Sequence, residues 1–94
     1  MKVVYKLRAK KAIAKVAEYI ESQNTEGSGE RWTEKLALKI ESLARSKARF
    51  APCRNSSLAR LKYSCFAYDD WIIAFRMSEK KFEVCRFIYG PRLE

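Results

Sequence analysis

Apolar residues in this chain change their spacing twice, and that change limits the accessible folds more than any single motif does. Over residues 2–8, Val3, Tyr5 and Leu7 alternate with Lys2, Val4, Lys6 and Arg8, the period-two pattern of a short strand. The spacing then lengthens: Ala9, Ala12, Ile13, Val16, Ala17 and Ile20 recur every three or four positions, which predicts an amphipathic helix over 9–23. A polar, glycine-containing turn follows at 24–29, with Ser28 as the expected N-cap and Glu30 in the next first turn. Trp32, Leu36, Ala37, Ile40, Leu43 and Ala44 predict a second helix ending near Ser46. So short a connection implies an antiparallel helical hairpin. Residues 46–57 contain Pro52 with Lys47, Arg49 and Arg54, and read as an exposed basic loop. Period two returns at Leu58, predicting strands over 58–65, 71–77 and 82–89, the last two joined by a tight turn at 78–81.

The resulting order is β-α-α-β-β-β. The expected fold is α+β, with the helical hairpin packed on one face of a small antiparallel sheet. Ninety-four residues give room for one domain over 1–94, and the closing Leu93-Glu94 resembles a cloning-vector scar. Strand 71–77 carries apolar groups on both faces: Trp71, Ile73, Phe75 and Met77 on one, Ile72 and Ala74 on the other. In the last strand Phe82, Val84 and Ile88 back onto Cys85, Phe87 and Tyr89. Two helices cover one side only, so the opposite face is expected to present an apolar patch rimmed by Arg60, Lys62, Arg76 or Arg86, with the chain's own ends or a second copy as the alternative cover.

Charge narrows the chemistry. Lys and Arg total 20 against 11 Asp and Glu, a net +9, and there is no histidine. Residues 1–17 carry +6 and residues 42–68 another +6, both without an acid, while 18–41 carries −3 and the tail is balanced. Two basic windows flanking an acidic hairpin suit an acidic protein partner at least as well as a nucleic acid. Without an imidazole, Ser-His-Asp triads, Cys-His dyads and histidine metal sites are excluded, and neither a metal nor a cofactor is expected. Cys53, Cys65 and Cys85 fit no CxxC pattern and are expected to be free thiols in a reducing cytosol. The longest clearly apolar run, Trp71 to Phe75, is far short of a membrane span, and the N-terminus has no signal-peptide core. A cytoplasmic protein with no membrane contact is expected.

The element order, the spacing from Ala12 to Tyr19-Ile20, and above all the ending Phe82-Glu83-Val84-Cys85-Arg86-Phe87-Ile88-Tyr89-Gly90-Pro91-Arg92 resemble the RelE/ParE superfamily of bacterial toxins over nearly the whole chain. The ending is similar to the "strand, then His-Gly-x-Arg" close of the ParE-like branch, with Tyr89 in the histidine position and Gly90 and Arg92 matching. The resemblance implies the toxin of a type II toxin–antitoxin (plasmid stabilisation) module, held in a hetero-oligomer by a small acidic antitoxin that wraps the sheet and hairpin.

Two modes of action are implied. A RelE-like enzyme would be a ribosome-dependent messenger RNA endoribonuclease using Arg60 and Lys62 on the basic strand, with Arg86 and Arg92. Against it, the family's third-strand arginine is Ile72 here and the tyrosine after the last arginine has no counterpart. An RNase relying on phosphate stabilisation loses orders of magnitude with each missing donor, and only Tyr63, Tyr68 and Tyr89 are left to move protons. A ParE-like toxin would instead bind an essential target such as DNA gyrase, without catalysis of its own. Lys10, Lys11, Trp71, Arg76, Tyr89 and Arg92 are the residues expected to touch target or partner. A general nucleic-acid module is the third alternative, but no helix-turn-helix, zinc-finger or RNP-type motif is present.

Overall fold

A computed structural model describes residues 2–46 and 51–93, apart from the side chains of Arg92 and Leu93. The elements are β1 (Lys2–Tyr5), α1 (Leu7–Gln23), α2 (Ser28–Arg45), α3 (Ser56–Arg60), β2 (Ser64–Tyr68), β3 (Trp71–Met77), β4 (Lys81–Tyr89) and a closing 3-10 turn (Gly90–Leu93). The α+β class and the order of strands and long helices follow the sequence pattern. Of the basic loop expected at 46–57, positions 47–50 lie outside the described residues.

The helical hairpin is capped from across its own turn. Ser28 is expected as N-cap, but the cap position belongs to Gly27 at φ 85°, a left-handed backbone that glycine adopts without a Cβ clash. The Glu21 carboxylate of α1 accepts hydrogen bonds from the Gly27 and Gly29 N–H groups at 2.7 and 2.9 Å, and so satisfies donors that α2 leaves open. Ser28 instead donates its hydroxyl to the Ile20 carbonyl at 3.3 Å.

The sheet order is β1-β4-β3-β2. It is mixed rather than wholly antiparallel: β1 runs parallel to β4, because the helical hairpin is a crossover that carries the chain to the far edge and returns it in the same direction. The hairpin lies over β1 and β4. The core joins Ala9, Ile13, Leu36, Ile40 and Ala44 of the helices to Ile73, Phe75, Phe82, Val84 and Phe87 of the sheet. Phe75 and Phe82 stack at 4.6 Å.

Three expectations are corrected. First, β4 does not keep one alternation. Phe75 pairs with Val84 but Ala74 pairs with Arg86, so Cys85 is an extra residue, a β-bulge that flips the later side chains. Phe82, Val84 and Phe87 therefore share the helix side, and Arg86 and Ile88 turn outward with Ala74 and Ile72. Second, the strand expected at 58–65 begins only at Ser64. Asn55 accepts from the N–H groups of Ser57 and Leu58, capping α3, so Arg60 ends a short helix and Lys62 occupies a left-handed turn at φ 63°. Third, the outward apolar face is not left bare. Residues 51–63 fold back over it as a strap, burying Leu58 and Cys53 against Ala74, with Tyr63, Cys65 and Ile88 alongside.

Candidate functional site

The strap is fixed to the sheet by several bonds of different kinds. Pro52 bridges to Ser64 at the start of β2, while within the strap the Cys53 N–H donates to the Tyr63 carbonyl at 3.1 Å and the Tyr63 N–H to the Leu58 carbonyl at 3.2 Å. Cys53 and Cys65 form a disulfide, which corrects the expectation of free thiols: the strap brings two residues 12 apart to a Cα distance of 4.8 Å. Cys85 alone is free and buried. Burial pushes its thiol pKa up. Between strap and sheet lies a largely apolar groove of about 610 Å³, with Pro52, Arg54, Asn55 and Leu58 on one wall and Cys65, Phe66, Ala67, Ile72 and Gly90 on the other.

This outer face gathers part of the expected basic set. Arg76 of β3 donates from Nη2 to the Leu61 carbonyl at 2.9 Å, and its guanidinium lies 4.7 Å from the centre of the Tyr63 ring. Arg76 thus holds the strap down. Arg86 shares that face, half-buried, while Arg60 and Lys62 belong to the strap that lies over it, both exposed. The backbone of Arg92 lies in the closing 3-10 turn, and its side chain is outside the described residues. At the near edge Lys6 and Glu83 pair at 3.0 Å.

Trp71 and Tyr89 are not with the arginines. Directly paired across β3 and β4, they extend the helix side of the sheet beyond the hairpin. Trp71 stacks on Phe87 at 4.7 Å and meets Tyr89 at 5.3 Å. With half-buried Phe66 and Tyr68 they form an aromatic shelf. Lys10 and Lys11 are exposed on α1, and Lys10 rims a small apolar groove of about 250 Å³ lined by Tyr5, Ile13, Thr33, Leu36 and Ala37. The expected binding residues therefore divide into an outer arginine face and a helix-side face. Sequence spacing missed Arg54, Glu21 and the Cys53–Cys65 pair. Only the acid-free run around Arg54 carried any signal for them.

Electrostatics separate binding from proton transfer. The Lys6 hydrogen bond holds the Glu83 carboxyl below its usual range, and the Gly27 and Gly29 N–H groups do the same for Glu21. Glu83 holds Lys6 up, while burial raises Tyr5, Tyr68 and Cys85. Each of these groups is moved away from neutrality, toward one fixed protonation state.

Among the described residues no group of three or more His, Cys, Asp and Glu is placed to hold a metal ion, and no helix is long and apolar enough to cross a membrane. A family model described as the ParE toxin of type II toxin-antitoxin system, parDE, matches residues 3–92. Comparison with curated proteins finds no match.

Proposed function

Because the chain belongs to the ParE toxin family of type II toxin–antitoxin systems, we propose that it arrests growth by binding an essential target such as DNA gyrase, without chemistry of its own. The carrying observation is the fate of the basic set. A phosphate-cleaving site needs several cations converging on one phosphate and a group poised to exchange protons near neutrality. Here Arg76 is committed to Leu61 and Tyr63, Lys62 stands in a turn rather than on a strand, and the shifted acids, lysine, tyrosines and thiol all move away from neutral pH.

The antitoxin that the family implies is assigned to the helix side. The aromatic shelf of Phe66, Tyr68, Trp71 and Tyr89 offers apolar area, and Lys10 and Lys11 offer positive charge to an acidic segment. That leaves the outer face, with Arg60, Lys62 and Arg86, for the target, and Arg92 is a candidate contact on its sequence match alone. One observation favours a second reading, a ribosome-dependent endoribonuclease: Arg86 shares the outer side of the sheet with the strap that carries Arg60 and Lys62.

Induced expression in bacteria tests both. Growth arrest relieved by the neighbouring small acidic reading frame is expected, with DNA breaks and inhibited gyrase supercoiling in vitro, and Arg92→Ala weakens the arrest. Messenger RNA cut at codon boundaries with intact supercoiling selects the enzyme. A chain whose induction leaves growth unchanged overturns both.

A further inference from the structure

We propose that the Cys53–Cys65 disulfide is a thiol–disulfide exchange site, opened by a dithiol reductant entering the strap groove, and that its opening frees residues 51–63 from the outer face of the sheet. The two sulfurs differ in access. Cys53 is 4% exposed, while Cys65 is half-buried and lines the groove. An incoming thiolate therefore meets the Cys65 sulfur. Arg54 lines the same groove and supplies the positive charge that favours an attacking thiolate.

In the first step the thiolate of the reductant bonds to the Cys65 sulfur, the Cys53–Cys65 bond breaks, and Cys53 departs as a thiolate. The second thiol of the reductant, on losing its proton, then attacks its own sulfur in the mixed disulfide and releases Cys65 as a thiolate. Two electrons pass to the protein, the reductant becomes a disulfide, and the two cysteines take up two protons. Cys85 stays outside this exchange, buried at 5% exposure with its thiol donating to the Glu83 carbonyl at 3.5 Å.

Opening the bond removes the disulfide cross-link between strap and sheet and leaves the Tyr63–Ser64 peptide bond as the covalent connection. The ties that remain between them are the buried Leu58, the Pro52–Ser64 bridge and the Arg76 bond to Leu61, while the backbone bonds of Cys53 and Tyr63 lie within the strap. The strap carries Arg54, Arg60 and Lys62, whereas Arg76 and Arg86 belong to the sheet, so reduction uncouples the two halves of the basic face. This inference stands independently of which target the face meets.

The test compares the whole chain equilibrated with oxidised glutathione and with dithiothreitol. Alkylation in denaturant is expected to find one thiol per oxidised chain and three per reduced chain. Amide exchange at Cys53, Ala59 and Tyr63 is expected to quicken on the order of a hundredfold on reduction, the scale set by cross-linking so short a loop. Exchange in β4 stays unchanged. Cys65→Ser should show the reduced pattern without reductant, Cys85→Ser should respond as the natural chain does, and Arg54→Glu should slow reduction. Three thiols after oxidised glutathione, strap exchange indifferent to reduction, or acceleration spread evenly through β4 would each overturn the proposal.

Discussion

Arg76 shows how one side chain can look like a ligand in sequence and act as a fastener in the fold. An arginine at the outer edge of a basic patch reads as a contact for an acidic partner, yet its guanidinium is already shared between the Leu61 carbonyl and the Tyr63 ring. Exposed hydrogen bonds and cation–π contacts are each worth about 0.5–1.5 kcal/mol. Arg76→Ala is therefore expected to lower stability by about 1–2 kcal/mol in denaturant titration and to quicken amide exchange in residues 51–63. Arg76→Lys keeps the charge but not the planar fork, and should rescue little of the loss. If Arg76→Ala leaves stability and strap exchange untouched while weakening target binding, the residue is a contact after all. Lys62 poses the converse case, because its left-handed φ of 63° is strained for a side chain with a Cβ. Its place in a turn was hidden in a segment whose alternation of Arg60 and Lys62 with Leu61 and Tyr63 mimics a strand.

At the scale of elements, the hairpin of α1 and α2 depends on close backbone approach. A Cβ placed on Gly29 would run into the Ala17 carbonyl oxygen and crowd the Glu21 carboxylate. Alanine in a helix normally gains about 1 kcal/mol over glycine, but forcing atoms into a closed contact costs typically ~1–3 kcal/mol. The clash wins, and Gly29→Ala should lower the melting temperature. A pH series addresses the cap beside it. Glu21 and Glu83 titrate lower in the folded chain than in the unfolded one, the first through the Gly27 and Gly29 N–H groups and the second through Lys6. Their contribution is complete above the ordinary carboxylate pKa of about 4.3 and is lost as pH falls through the depressed folded values. Lys6, raised by its bond to Glu83, contributes fully below its ordinary pKa of about 10.4 and loses that share as pH climbs through the higher folded value. Glu21→Gln is expected to flatten the acid limb of the stability curve; an unchanged limb would show that the cap carries no linkage. These elements also mark how far sequence reaches. Helical spacing marks α1 and α2 almost to the residue and the β-forming run of 71–77 marks β3 entirely, since both are local properties. The Cys85 bulge, the parallel β1–β4 pair and the strap are settled by partners distant in sequence, so strict alternation groups Ile88 with Phe82 and Val84 instead of with outward Ala74, and spacing alone leaves Cys53 unpaired.

For the molecule as a whole, the sheet closes through its ends. β1 supplies Val3 and Tyr5 to the core and shields one edge of β4. Deleting residues 1–5 is expected to abolish cooperative thermal unfolding and to promote aggregation through the bared β4 edge, read by calorimetry and light scattering. A shortened chain that melts like the natural one would make β1 an ornament. The parallel pairing also sets a timetable. Lys2 meets Lys81, 79 positions later, so at a synthesis rate of about 5–20 residues per second the first strand waits roughly 4–16 s for its partner to be made. The outer face, which needs β3 and β4 side by side, likewise forms only after both of these late strands have been made. Until then a nascent chain carries β1 and the helical hairpin without the strands that cover their apolar sides, and the face proposed to meet the target does not yet exist.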